Sequence, residues 1–236
     1  VGQTRQPRLQ VVTYGIENSD CDLIAHLHSD GTFDIVNNGL AAAHLPVGEK
    51  FTAKLSVPGK HNVLNALAAA SRRSALVETP ALIVQGLVSY QASGMRQNIY
   101  EQDGYQIYAD CYNASPDAME ATLSVLGGMA GDGRRFAVLG SMLELGDYAE
   151  EGHRRAGRAA AQYADALYAY GPDAAAMVAG AREKGMEHAY AFDDQTALVA
   201  ALREDAKKGD ALLFKGSRGM RMERALAMFL GEEVEA

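Results

Sequence analysis

The segment GYQIYADCYNASPDAMEATLSVLGGMA, residues 104–130, decides the fold class of this chain. Its first six residues alternate between apolar and polar side chains, which predicts a half-buried strand. After Pro116 the apolar residues recur at helical spacing, which predicts a helix. Between the two lies a turn that carries an acid, a tyrosine and an asparagine: Asp110, Tyr112 and Asn113. A plain strand-to-helix connection needs only small turn residues, so the turn is a candidate binding site.

The same order of strand and helix occurs five times after Gly94. The predicted strands are YQIYADCY, RRFAVLG, ADALYAYG, EHAYAFDD and DALLFKGS. The predicted helices begin near Pro116, Glu150, Ala174, Gln195 and Met220. This alternation is typical of an α/β domain whose mostly parallel sheet is covered by helices on both faces.

The chain before Gly94 has a different pattern. Four short strands are predicted in RLQVVTYGI, DLIAHLHSD, TFDIVNN and KFTAKLSV, and the Asp30–Gly31 pair predicts a hairpin turn. Two helices follow, HNVLNALAAASRRSAL and PALIVQGLVSYQ, the second with Thr79 as its N-cap. We therefore expect two domains, residues 1–93 and 94–236. The first is either a small α+β domain or the back half of a larger one.

Composition and charge exclude several classes of protein. The chain has 236 residues, 48% of them apolar, and a net charge of −8. No Lys/Arg run exceeds two residues, which argues against a nucleic-acid partner. No apolar run approaches the roughly 18 residues of a membrane span, and the polar first residues lack a secretory signal. Cys21 and Cys111 are expected to be free thiols, so we predict a cytoplasmic protein.

Polar residues follow the last predicted strand, where the ligand crevice of an open parallel sheet is expected. The segment FKGSRGM places Lys215, Ser217 and Arg218 at the start of the last helix. Two cations beside the backbone donors of a helix N-terminus make an anion site. A serine cap with solvated charges explains the same residues equally well.

Two asparagines interrupt an apolar helix. Asn62 and Asn65 are three residues apart in HNVLNALAAA and so share one helix face. Asn62 can serve as a helix cap, whereas Asn65 is a poor helix former at its position and can pair with the donor–acceptor edge of a base. A purely structural role explains the two amides at least as well.

Other catalytic patterns are missing from the sequence. The histidines, His153 among them, lack metal-ligand spacing, and His153 is expected at the surface. There is no GxxxxGK[ST] phosphate loop.

Several motifs together resemble one family. PGKHNVLNALAAA, SGMRQ, DCYNASPDAM, VLGSMLELGDYAEEGH and FKGSRGMRMER occur in the order and spacing of the Mur ligases, over roughly residues 50–230. The chain is most similar to the branch that joins D-Ala-D-Ala to UDP-MurNAc-tripeptide in peptidoglycan synthesis.

The resemblance implies a fold, a reaction and site residues. It makes residues 1–93 the end of a central ATPase domain and residues 94–236 a Rossmann-like closing domain. ATP phosphorylates the tripeptide carboxylate, and the amine of D-Ala-D-Ala attacks the acyl phosphate. The implied nucleotide contacts are Asn62, Asn65, Arg96, Asp110, Tyr112 and Asn113, with Arg96 and Asp110 as catalytic residues. The implied substrate contacts are Lys215, Ser217 and Arg218.

The resemblance also places parts of the enzyme outside these residues. The domain that binds the UDP group, the phosphate loop and the ligands of Mg²⁺ are expected upstream of Val1, so the chain alone is predicted to be inactive. Two alternatives are a non-catalytic module that binds a nucleotide or peptide, and another ligase of the Mur or folylpolyglutamate type.

Overall fold

The protein is described by a computed structural model that covers residues 11–39, 47–74, 79–90, 94, 96–129 and 131–232. The chain divides into two compact units, Val1–Gln91 and Ala92–Ala236. The start of the first predicted strand and residue 93, at the predicted domain boundary, lie outside the described residues.

The first unit is a four-stranded sheet with two helices. Its elements are β1 (Tyr14–Ile16), β2 (Leu23–Leu27), β3 (Thr32–Asn37), β4 (Lys50–Lys54), α1 (Lys60–Ser74) and α2 (Pro80–Val88). The strands lie in the order β1-β2-β3-β4, with β1 parallel to β2 and the other neighbours antiparallel. The predicted hairpin is confirmed, since Gly31 has a φ of 80° between β2 and β3. The predicted cap is confirmed too, because Thr79 Oγ1 accepts a hydrogen bond from the backbone N–H of Leu82.

The second unit is an α/β domain with a six-stranded sheet. Its strands are β5 (Asn98–Gln102), β6 (Tyr105–Asp110), β7 (Arg135–Gly140), β8 (Ala166–Tyr170), β9 (Ala189–Phe192) and β10 (Ala211–Lys215). Its helices are α3 (Pro116–Leu126), α4 (Ala149–Tyr163), α5 (Ala174–Glu183), α6 (Gln195–Asp205) and α7 (Met222–Leu230). The strand order is β5-β6-β10-β7-β8-β9, and the five strands predicted from the sequence are all parallel. The predicted fold class is confirmed.

Strand β5 was not predicted from the sequence. It pairs antiparallel with β6 across a tight turn at Asp103 and Gly104, both of which have positive φ. This is the same Asp–Gly hairpin signal that identified the turn at Asp30–Gly31. The strand escaped detection because it lies at the sheet edge, where its residues are mostly exposed and show no clean alternation.

Two apolar layers cover the sheet of the second unit. In β10, Leu213 packs into the cluster with α3, α4 and α5, whereas Phe214 packs into the cluster with α6 and α7. Successive residues of a strand point to opposite faces, so a strand buried on both sides reads as a continuous apolar run. This explains the sequence ALLF in β10.

The carboxyl ends of the parallel strands meet at one edge of this sheet. In the register of β6 and β10, the last residues, Asp110 and Lys215, are paired. The helix predicted near Met220 begins at Met222, because residues 218–220 form a 3-10 turn and Arg221 has a left-handed φ of 47°. No helix within the described ranges has the length and apolar character that crossing a membrane requires.

Candidate functional site

Asp110 is the last residue of β6, where the turn begins, and is only 7% exposed. Its Oδ2 accepts hydrogen bonds from Lys215 Nζ at 2.5 Å and from Thr122 Oγ1 at 3.4 Å. Its Oδ1 accepts from the backbone N–H of Gln97 at 3.3 Å. One oxygen is therefore held by a charge-assisted bond, and the other makes a single long bond.

Lys215 is buried at the end of β10, with 2% of its surface exposed. Besides the bond to Asp110, its Nζ donates to the carbonyl of Asn113 at 2.9 Å. A buried ammonium needs such partners, because removing an unpaired charge from water is costly. Lys215, Ser217 and Arg218 were predicted to form one anion site. In the structure the ammonium of Lys215 is turned toward Asp110 and the β6–α3 turn.

An exposed cation and an exposed ring lie beside this buried pair. The guanidinium of Arg96 lies over the ring of Tyr112, with Cζ 4.0 Å from the ring centroid. Asn113, also exposed, accepts a hydrogen bond on its Oδ1 from the backbone N–H of Ala114. The second unit thus brings Arg96, Tyr112 and Asn113 to the edge where Asp110 lies. A stacked guanidinium of this kind is suited to an anionic or planar ligand.

Ser217 is a buried contact between loops. It is 5% exposed, and its Oγ accepts a hydrogen bond from the backbone N–H of Leu143 at 2.9 Å. It makes no side-chain cap to the 3-10 turn that follows. Arg218 remains exposed and pairs with Glu223 at 2.6 Å. Of the three residues grouped by the sequence analysis, Arg218 is the one whose side chain is mostly exposed, at 61%.

His153 is fully buried, so its predicted surface position is wrong. Its Nε2 accepts a hydrogen bond from the backbone N–H of Met142 at 2.8 Å, and its Nδ1 lies 2.6 Å from the carbonyl of Ala149. An acceptor Nε2 and a donor Nδ1 define a neutral imidazole. His153 and Ser217 together hold the loop after β7 at both Met142 and Leu143.

Cys111 is buried behind the turn as an unreactive thiol. Burial raises its pKa to about 12, and its Sγ–H donates to the carbonyl of Phe214. Burial also raises the pKa of Tyr108 well above its usual range. Both groups therefore stay protonated.

The first unit contains a separate cavity of about 270 Å³ between α1 and α2. Its lining residues are Leu55, Val57, Asn62, Asn65, Ala66, Ala69, Ala70, Ile83, Gly86, Leu87 and Tyr90. Asn62, the third residue of α1, is 7% exposed and donates its Nδ2–H to the carbonyl of Pro58 at 2.7 Å. Asn65 is exposed and lines the cavity. Both asparagines therefore line the cavity: Asn62 is buried with its amide bonded to the backbone, whereas Asn65 is exposed.

Several contributors to these sites were not identified from the sequence. The α2 wall of the cavity comes from Ile83 and Leu87, whose four-residue spacing is the available signal. Thr122 and the backbone of Gln97 reach Asp110 through the fold. Among the described residues, no group of three or more His, Cys, Asp and Glu side chains is arranged to hold a metal ion.

Residues 95–218 match the family model of the Mur ligase glutamate ligase domain. The chain is 34% identical over 200 residues to the UDP-N-acetylmuramoyl-tripeptide–D-alanyl-D-alanine ligase of Bacillus subtilis. The aligned region covers 83% of this chain and 44% of that protein. The chain spans a little under half the length of the curated relatives that it matches.

Two solved structures share the fold over most of the chain. MurF from Acinetobacter baumannii superposes with a TM-score of 0.77 at 28% identity, over 94% of this chain and 47% of that chain. MurF from Thermotoga maritima in complex with ADP superposes with a TM-score of 0.71 at 28% identity, over 94% of this chain and 48% of that chain.

Proposed function

The chain belongs to the Mur ligase family, and on that premise we propose that it forms part of an ATP-dependent ligase that joins D-Ala-D-Ala to UDP-MurNAc-tripeptide. In this reaction the γ-phosphoryl group of ATP passes to the terminal carboxylate of the tripeptide. The amine of D-Ala-D-Ala then attacks the acyl phosphate, and an amide, ADP and phosphate result. The observation that carries the proposal is the exposed Arg96–Tyr112 pair beside the buried Asp110, in a sequence similar to such ligases.

The cavity of the first unit suits the adenine base. Its walls are mainly small and apolar side chains, which accept a planar ring, and Asn65 supplies an amide at its lining. An amide can donate to one position of the adenine edge and accept from another. Asn62 supports this site indirectly, because its own amide group holds the start of α1.

The turn after β6 suits the ribose and phosphates. Asp110 Oδ1, with its single long bond, can accept from a ribose hydroxyl. Arg96 supplies the charge that neutralises a phosphate, while Tyr112 and Asn113 line the same edge. Phosphoryl transfer depends mainly on positioning and charge neutralisation, and these residue types provide both.

Arg218 is the candidate contact for the acceptor. Its exposed guanidinium can bind the free carboxylate of D-Ala-D-Ala with paired donors. Ser217 supports this site indirectly, because its hydrogen bond to Leu143 holds the loop after β7 against the carboxyl end of β10. Family chemistry also uses Mg²⁺ with ATP. The resemblance places the protein ligands of that ion outside these residues.

A release assay for ADP tests this proposal. The complete reading frame that contains this chain is supplied with ATP, UDP-MurNAc-tripeptide and one acceptor at a time. We expect ADP release that requires D-Ala-D-Ala and is absent with glutamate or with single amino acids. The 236-residue chain alone is expected to release no ADP under the same conditions. Turnover with glutamate in place of D-Ala-D-Ala would assign the chain to another ligase type.

A further inference from the structure

Lys215 is a buried charge that the proposed chemistry does not use as a contact. We propose that Lys215 is a positioning residue, which fixes Asp110 and the backbone of Asn113 in the geometry that receives the nucleotide. The identity of the ligand rests on the proposed function, whereas the effect of Lys215 on the turn can be tested without any ligand.

The ammonium clamps both ends of the turn. Residues 110 and 113 are the acceptors, one through a carboxylate oxygen at 2.5 Å and one through a backbone carbonyl at 2.9 Å. Because Lys215 pairs with Asp110 in the strand register, the clamp is anchored in the central strand of the sheet. A single side chain therefore sets both the carboxylate that meets the ribose and the exposed residues that follow it.

The clamp extends to the segment before β5, which carries the exposed cation. Asp110 Oδ1 accepts from the backbone N–H of Gln97, which has a left-handed φ of 52°. A non-glycine residue rarely adopts this conformation without support from its surroundings. Gln97 directly follows Arg96, so the hydrogen bond to Asp110 helps to set where Arg96 stacks on Tyr112. Lys215 thus acts on Arg96 through Asp110.

Stability alone is a weak reason for this buried ion pair. Two well-packed apolar side chains in place of a buried pair are often neutral or stabilising. The same position on the neighbouring strand β7 is Leu139, which shows that this edge accommodates an apolar side chain. The charge at residue 215 is therefore explained by the orientation that it imposes on its two acceptors.

The test compares Lys215→Met with Arg135→Met in the 236-residue chain. Arg135 pairs with Asp165 at the opposite, amino end of β7, so the control removes an ion pair far from the turn. Two quantities are measured by NMR: the hydrogen-exchange rate of the Gln97 amide without ligand, and the dissociation constant for ADP. NMR titration is chosen because it measures weak binding.

We expect Lys215→Met to speed exchange at Gln97 and to raise the dissociation constant for ADP at least about tenfold, or about 1.4 kcal/mol. Arg135→Met should leave both within about twofold of the parent chain, since distant sites act independently. Unchanged exchange at Gln97 in a folded Lys215→Met chain would overturn the inference. So would an equal change in the Arg135→Met control.

The design separates this inference from the proposed function. If the parent chain binds no ADP but Lys215→Met still loosens Gln97, the clamp is supported and the nucleotide assignment fails. If Lys215→Met does not fold, Lys215→Gln takes its place, because its amide group can still donate hydrogen bonds but carries no charge. Faster Gln97 exchange in that variant supports the clamp, and parental exchange contradicts it.

Discussion

Replacement of Asn65 tests whether the cavity of the first unit selects adenine. Asn65 lies on α1 and is exposed at the cavity lining, so its loss should cost the fold little. Surface substitutions of this kind usually change the free energy of unfolding by about 0.5 kcal/mol or less. The melting temperature of Asn65→Ala should therefore stay close to that of the parent chain, and any change in binding can be assigned to the site.

The expected size of the binding change follows from the amide. A bidentate contact between an asparagine amide and an adenine edge is worth about 1–3 kcal/mol. Its loss should raise the dissociation constant for ADP between about 5-fold and 150-fold. GDP offers two acceptors where adenine offers one donor and one acceptor, so the parent chain should bind ADP more tightly than GDP. Asn65→Ala should lose this preference.

NMR titrations with ADP and GDP measure both effects, with Leu64→Ala as the matched control. Leu64 is the preceding residue on α1, is 38% exposed and does not line the cavity. The control should retain the parental preference for ADP. The reasoning is refuted if Asn65→Ala binds ADP as tightly as the parent chain, or if Leu64→Ala loses the preference equally.

Three further predictions concern the second unit. Gly157→Ala should lower the melting temperature and destabilise the fold by about 1–3 kcal/mol, because the added Cβ would collide with a backbone carbonyl of α5. The control Gly128→Ala should be nearly neutral, because the atom nearest to its added Cβ is 3.5 Å away. Hydrogen bonds from Arg135 lower the pKa of Asp165 in the folded chain. The ionised carboxylate therefore stabilises the fold above its unfolded pKa of about 4, and this stabilisation is lost as the pH falls below that value. Urea unfolding at pH 6 and pH 3 measures that loss, which Asp165→Asn should reduce; an unchanged pH dependence would count against the ion pair. In the folded chain iodoacetamide should modify Cys21, which is partly exposed, and spare the buried Cys111, whose pKa is about 12. Mass spectrometry identifies the modified cysteine, and rapid modification of Cys111 would show that the turn opens.

Much of the fold is encoded in local patterns. The five parallel strands and the helices between them follow from apolar periodicity, because each element buries its own apolar face against the sheet. Strand β5 lacks that signal, since an edge strand is held mainly by backbone hydrogen bonds to β6. The exact start of α7 also depended on a backbone feature, the left-handed Arg221.

The residues of the candidate site could be chosen from the sequence, but the contacts between them could not. Asp110, Tyr112 and Asn113 could be identified because polar residues at a strand end have few structural reasons to be there. The partner of Asp110 could not, because Lys215 is 105 residues away and meets it only through the register of β6 and β10. The burial of His153 likewise depends on a loop that folds over it, which no spacing in the sequence reveals. The nucleotide and substrate roles of these residues remain predictions.

The most direct test of the account is a chemical-shift map of ADP on the labelled 236-residue chain. We expect a saturable titration in which each unit responds at its own residues: the amides around Asn65 in the first unit, and those of Gln97 and of residues 110–113 in the second. The amides at the amino ends of the parallel strands, such as that of Arg135, should not shift. Saturable shifts confined to other surfaces, with residues 110–113 unaffected, would contradict the assignment of this turn as a nucleotide site.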